Sequence, residues 1–315
     1  MYHRILVPLD GSEEAESILP CVAGMAGGLK AELVLLAVVD RRSSYLHTPS
    51  MATRPPGPRP FAASPLEDRA ERYLKALTSR HRLGADIEVR TGHPVMGILE
   101  TQRECGCDLI ALATRGTERL DQAIGDTSLE ILHRSEVPVL LFCPAPVLRD
   151  GSRPRRREAL GTLIVPVDGS PEAERVLPYV CDLAVGLGVE VRILYTVSLP
   201  FGEPLVKGAY TEGDPSPILR SLEGQAEEYT RELVHYLARR EVRATALVVR
   251  GSPAENIRLL AEDSPGCTVV IAARGISGIG RMLLNDVADR VVRRTQVPVL
   301  VVPARGPRNR PIPCG

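Results

Sequence analysis

At about 150 residues per domain, 315 residues make two domains, each large enough to bury a core without disulfides or metals. Lys plus Arg total 39 and Asp plus Glu total 39. This balance excludes a dominant basic surface for nucleic acid, and the absence of Trp with only three Phe removes the stacking platforms of single-strand binders.

The first apolar run, Ile5-Leu6-Val7, predicts a strand at the very start, and it runs into Pro8, Leu9, Asp10, Gly11 and Ser12. Ala15, Ile18, Leu19, Val22, Ala23 and Ala26 follow at the spacing of one apolar helical stripe. Pro20 lies inside that stripe, where a missing N–H and a ring clash predict a kink. Residues 33–39 read as a buried strand. Residues 43–65 then carry Pro49, Pro55, Pro56, Pro58, Pro60 and Pro65, a long loop that is either a lid or disordered. A longer helix, a strand at 87–90, a Gly92-His93-Pro94 turn into a helix, a strand at 109–113, a further helix and a strand at 137–142 complete the first half.

The second half repeats this order. Ile5-Leu-Val-Pro-Leu-Asp-Gly-Ser12 returns as Leu163-Ile-Val-Pro-Val-Asp-Gly-Ser170, 158 positions on. Gly92-His-Pro94 returns as Gly251-Ser-Pro253, Ala113-Thr-Arg-Gly116 as Ala272-Ala-Arg-Gly275, and Val137-Pro-Val-Leu140 as Val297-Pro-Val-Leu300. Ser170 followed by Pro171 is an N-cap with proline at the first helical position, and Pro178 repeats the kink of Pro20. Residues 199–217 form a second Gly/Pro-rich loop.

Strands alternating with helices predict parallel sheets covered on both faces. The expected fold is α/β, two tandem doubly wound five-stranded parallel-sheet domains at 1–145 and 161–304. The 146–160 join, with Arg149, Arg153, Arg155, Arg156 and Arg157, reads as a solvated linker, and 305–315 as a tail. No apolar run approaches the ~18 residues of a bilayer span. Seven scattered cysteines and no leader-like start lead us to expect a reduced, cytoplasmic protein.

In such sheets ligands bind beyond the carboxyl ends of the strands, where strand order reverses. Pro8, Leu9 and Asp10, then Val38, then Ala113, Arg115 and Gly116 fall there in the first copy. Pro166, Val167, Asp168, Thr196, Ala272, Arg274 and Gly275 are their counterparts in the second. A glycine turn before a helix can cradle phosphate, although glycine after a strand is also ordinary turn chemistry.

The Val-Pro-x-Asp-Gly-Ser opening, the Gly-x-Pro before the third helix, the Asp-Leu-Ile run into an Arg-Gly turn and the closing Val-Pro-Val-Leu together resemble the universal stress protein family. The resemblance covers nearly the whole chain, twice. It implies a Rossmann-like fold of that type, with domains paired through their last strands: a pseudo-dimer within one chain, with a homodimer of chains also open. For ATP-binding members it implies a Gly-x2-Gly-x9-Gly-Ser/Thr motif after the fourth strand, an Asp after the first, and a residue ending the second strand that holds the base and ribose. Asp10 and Asp168 match that Asp, Val38 and Thr196 the second-strand position, and Gly116 and Gly275 the second glycine. Ala113 and Ala272 replace the first glycine.

In the second copy the next motif position is Asn285, followed by Asp286; in the first the spacer is one residue short and Gly125 precedes Asp126. A carboxylate beside phosphate repels it by ~1 kcal/mol in water and by about 4 at an effective dielectric near 20. Mg²⁺ would reverse that sign. Alternatively Asp126 and Asp286 cap their helices. Arg115 and Arg274 are placed to pair with phosphate or with those aspartates.

The expected function is therefore a stress-response sensor or regulator binding an adenine nucleotide, ATP with or without Mg. The second copy is preferred for its intact spacing and its small residues around Gly278, while Gly125 favours the first. The alternative is a scaffold with degenerate sites acting through protein partners. Cys105-Gly-Cys107 lacks the partner ligands of a zinc site, His93 is a polar residue near the crevice, and no catalytic constellation assembles from the sequence.

Overall fold

In the computed structural model the first half runs β1 (Arg4–Pro8), α1 (Glu13–Glu16), α2 (Leu19–Leu29), β2 (Glu32–Val39), α3 (Leu66–His81), β3 (Ala85–Thr91), α4 (Pro94–Glu104), β4 (Leu109–Ala113), α5 (Asp126–Arg134) and β5 (Val139–Phe142). The second runs β6 (Thr162–Val167), α6 (Pro171–Glu174), α7 (Leu177–Leu187), β7 (Glu190–Val197), α8 (Ser216–Ala238), β8 (Ala244–Arg250), α9 (Pro253–Glu262), β9 (Cys267–Ala272), β10 (Arg274–Gly275), β11 (Met282–Leu283), α10 (Asp286–Arg294) and β12 (Val299–Val302). The described residues are 2–40, 66–114, 125–142, 161–198, 216–275, 282–283, 286–295 and 297–304. The loop at 43–65, most of that at 199–217, the arginine-rich join and the tail lie outside them.

Ten strands form one sheet in the order β3-β2-β1-β4-β5-β12-β9-β6-β7-β8. Within each half neighbours are parallel, and the sheet reverses direction only where β5 meets β12. The twin Val-Pro-Val-Leu strands are therefore the middle of the sheet. The domains pair through their last strands, as the family resemblance implied. Their register pairs Leu140 with Leu300, Leu141 with Val299 and Val139 with Val301, so a pseudo-twofold axis passes between the two leucines.

One apolar cluster joins α2, α3, α7 and α8 to one face, and another joins α4, α5, α9 and α10 to the other. Each cluster crosses from one half to the other. Continuous apolar runs such as Ile110–Leu112 exist because both faces of the central strands are covered. β3, at one edge, is only half-buried.

The axis also brings α2 against α7. A Cβ on Gly28 would stand 2.7 Å from Leu187 Cδ2, and one on Gly186 would stand 2.5 Å from Leu29 Cδ2. Gly28 and Gly186 are equivalent in the repeat, so each helix offers the other a glycine for its leucine.

Pro20 and Pro178 split the predicted helix where a kink was expected. α1 and α6 are single turns, and α2 and α7 start afresh with the proline in their first two positions. There a backbone N–H has no intrahelical acceptor, so its loss costs little.

Tyr229 on α8 donates to Glu174 Oε1 on α6 at 2.9 Å and packs edge-on against Tyr195 at 5.9 Å between centroids. Burial, then the Glu174 carboxylate, pushes its phenol well above the ordinary value. The neutral phenol thus stabilises the fold fully below pH ~10, and that contribution is lost as pH rises further. Tyr229→Phe is expected to cost about 1 kcal/mol at pH 7 and to flatten the alkaline loss. Urea titrations at pH 7 and 10.5 measure both; an unchanged alkaline slope would contradict the assignment.

Candidate functional site

Asp-Gly-Ser builds the same device after β1 and after β6. The glycine takes a left-handed conformation, φ 85° at Gly11 and 79° at Gly169, which a side chain would strain. The chain thereby turns back so that Asp10 Oδ1 accepts from the Ser12 N–H at 3.0 Å and the Ser12 hydroxyl at 2.6 Å. Asp168 Oδ1 does the same for Ser170, at 3.0 and 2.5 Å. Each serine caps its helix, Ser12 Oγ accepting from Ala15 N–H at 3.1 Å and Ser170 Oγ from Ala173 N–H at 3.2 Å. The aspartate predicted as a ligand contact is also the post of a turn.

In the second half the crevice is a cavity of about 130 Å³ at the carboxyl ends of β6, β7 and β9. Pro166, Val167, Asp168, Thr196 and Ala272 all line it. Five residues predicted from three strands therefore meet in one place. Its remaining walls are chiefly apolar, with Leu194 and Ile271 from strands and Pro253, Ile257 and Val287 from helices. Ser170 and Glu172 bring polarity from α6. A slot with apolar walls and a few convergent polar groups is the usual form of a small-molecule site.

Pro8 ends β1, and Leu9 and Asp10 follow it in the corresponding place. Leu9 is buried with its N–H on Leu36 O at 2.8 Å, Asp10 is exposed, and Ala113 ends β4. Val38 faces α4 closely: a Cβ on Gly97 would stand 3.0 Å from both Val38 methyl groups.

The fourth-strand motif is placed only in part. Arg115, Gly116, Gly278 and Asn285 lie outside the described residues, as do the side chains of Arg274 and Asp286. Gly275 belongs to the short antiparallel β10–β11 pair, a feature with no trace in the periodicity. Asp126 does not cap α5. Gly125 is the N-cap, with no side-chain bond, and Asp126 is the first helical residue, exposed. One position too far along to cap, its carboxylate still faces the positive end of the helix dipole. His93 is the N-cap of α4 and is exposed, with no capping bond from its ring.

Nine further lining residues were not anticipated as part of a site, among them Ile257, Val287 and Ala288 on the packed faces of helices. Asn256 was missed too, although comparing the two copies would have flagged it: it stands where the first copy has Gly97.

Among the described residues no group of three His, Cys, Asp or Glu side chains converges to hold a metal. Burial, then Cys105, pushes the Cys107 thiol up to about 12, and burial takes Cys181 to about 11. Iodoacetamide at pH 8 is expected to leave both unmodified until urea is added, because the thiolate is the nucleophile. Peptide mapping reads the result, and rapid alkylation of either in the folded protein would refute it.

The model of the universal stress protein family matches residues 1–142 and again 160–303. The chain belongs to that family. It carries two such domains in tandem. The universal stress protein Rv2005c of Mycobacterium tuberculosis is 23% identical over 315 residues, with 95% of this chain and 96% of that protein covered. The universal stress protein MJ0531 of Methanocaldococcus jannaschii is 28% identical over 140 residues, 44% of this chain and 80% of its own. Among solved structures, a universal stress protein from Archaeoglobus fulgidus superimposes with a TM-score of 0.65 at 22% identity, covering 96% of this chain and 98% of that one. The cytoplasmic domain of a prokaryotic cation chloride cotransporter shares the fold over 96% of each chain, with a TM-score of 0.55 at 13% identity. Among the described residues no helix is long and apolar enough to cross a membrane.

Proposed function

We propose that this universal stress protein is a cytoplasmic sensor or regulator that takes an adenine nucleotide in its second crevice and whose output is not chemistry. The observation that carries the reading is the cavity itself. It is an apolar slot edged by two carboxylates, Asp168 and Glu172, and two hydroxyls, Thr196 and Ser170, at the carboxyl ends of three strands. That donor set suits a planar base with polar edges: apolar walls take its faces, and a carboxylate accepts from an amino or ribose hydroxyl group. ATP-binding members of the family, which this chain resembles, use the positions of Asp168 and Thr196 in this way. Asp168 and Glu172 add negative charge to the crevice, so a triphosphate would enter with Mg²⁺ as its counter-charge.

Thermal denaturation with and without ATP and Mg²⁺ tests the reading. At a hundredfold excess over Kd, binding adds about 2.7 kcal/mol, a rise of roughly 4 °C for a chain of this size. No shift, together with no nucleotide in the freshly purified protein, would overturn it.

A further inference from the structure

The two ends of the sheet are not alike. β3 and β8 are its outermost strands, and the repeat sets Asp86, Glu88 and Arg90 of β3 against Thr245, Leu247 and Val249 of β8. The charges on β3 are tied within the chain: Asp86 binds Arg4, and Arg90 binds Glu88 at 3.6 Å and Glu104 at 2.5 Å. A charged edge keeps other strands away. β8 carries no charge between Arg243 and Arg250. Leu247, at its middle, is 43% exposed, and Leu259 on the adjacent α9, where the first copy has Glu100, is 45% exposed.

The direction of backbone hydrogen bonding alternates along a strand. Arg243 O accepts from the Val191 N–H, and the Gly251 N–H donates to Val197 O. Odd-numbered positions of β8 therefore bond inwards to β7, while the N–H and C=O groups of Ala244, Ala246 and Val248 point out from the sheet. Among the described residues no strand takes them up.

We propose that β8 is a homodimer interface, pairing antiparallel with β8 of a second copy of this chain about a twofold axis at Leu247. Ala246 of each copy then exchanges backbone hydrogen bonds with Val248 of the other. The two Leu247 side chains meet across the axis as a non-hydrogen-bonded pair, the closer kind. The same register on β3 would set Glu88 against Glu88. Charge also fits the twofold arrangement. Glu223 on α8 accepts from Arg250 Nη2 at 2.8 Å, which marks the flank of α8 beside the open edge. Glu227 and Arg231 follow on that flank at steps of four; both are exposed, and among the described residues neither has an ion pair. Three strand residues at ~3.3 Å and seven helix residues at ~1.5 Å cover the same ~10 Å, so Leu247 lies about level with Thr230. An axis there brings Glu227 of each copy beside Arg231 of the other. One strand and its flanks make a small interface, under about 1,200 Å², and such contacts are weak. The expected Kd is about 10–100 µM.

Sedimentation equilibrium of the full chain, without nucleotide, tests the proposal. The wild type is expected to pass from one chain to two over that concentration range. Leu247→Glu, which copies the first repeat at an exposed position, should weaken association at least tenfold. Arg231→Glu should weaken it about tenfold, two symmetric attractions becoming repulsions, and adding Glu227→Arg to Arg231→Glu should restore it. Leu247→Cys should crosslink to itself under mild oxidation beyond the wild-type background, since facing strand residues lie within disulfide reach, and Glu88→Cys should not. A wild type that stays monomeric leaves the edge to some other protein and overturns the proposal. A dimer that survives Leu247→Glu, or one that crosslinks equally through Glu88→Cys, places the contact elsewhere and overturns it too.

Discussion

A chain with Leu300→Asp is expected to lose at least about 4 kcal/mol and to show no cooperative native baseline in urea. Leu300 is wholly buried, and its partner across the pseudo-twofold axis is the equally buried Leu140. A carboxylate there has no cation to pair with among the leucines and valines of the two central strands, and an unpaired buried charge is among the most damaging single changes. The cost would not stay in one half, because both apolar clusters run across this seam. A milder version comes from Gly186→Val. Its side chain would meet Leu29, whose Cδ2 lies 2.5 Å from the first carbon added, and overpacking of this kind costs about 1–3 kcal/mol. Far-UV circular dichroism across a urea series measures both. A Leu300→Asp protein with wild-type stability would mean that the halves fold without their shared seam.

The second large effect is expected at Asp168. Asp168→Ala should weaken ATP binding by tenfold or more, whereas Asp10→Ala should leave it unchanged. Both substitutions remove the acceptor that holds the serine N–H and hydroxyl after the first strand of a half. Each should therefore lower stability by a similar amount, about 1 kcal/mol. Only Asp168 also lines the described cavity, so only its loss removes an acceptor from the ligand. A charge-assisted hydrogen bond contributes about 1.5–3 kcal/mol, which is tenfold or more in affinity. Titration calorimetry on the matched pair separates the turn from the site. Equal loss of binding in both would place the ligand in both crevices, and loss in neither would remove Asp168 from the site.

The architecture was legible because duplication wrote it twice. Val-Pro-x-Asp-Gly-Ser, Gly-x-Pro and Val-Pro-Val-Leu recur in one order, and apolar runs in the central strands carry the signature of a sheet buried on both faces. Pro20 was read as a kink because proline chemistry alone does not say whether a helix bends or restarts. The structure answers with Ile18 and Val176 as new N-caps. The glycines of the α2–α7 contact were visible as a repeated pair, but nothing in one copy reveals that its neighbour's leucine fills the place of a side chain.

The site was legible on strands and hidden on helices. Asp168, Thr196 and Ala272 stand at strand ends, where the topology of any doubly wound sheet puts ligands. Asn256 reaches Thr196 by a contact between α9 and β7, sixty positions apart in sequence, and its only trace is that Val38 with Gly97 and Thr196 with Asn256 differ together. Capping stood as one of two readings of Asp126 because spacing fixes a helix start only to within a residue or two, and one residue separates a cap from the first turn.

A crystal structure of the full chain grown with ATP and Mg²⁺ tests the central claim most directly. The account predicts a nucleotide in the second crevice, its base between the ends of β6 and β7 against Asp168 and Thr196. A nucleotide bound only against Val38, or a second crevice closed by its own side chains at saturating ATP, would contradict it.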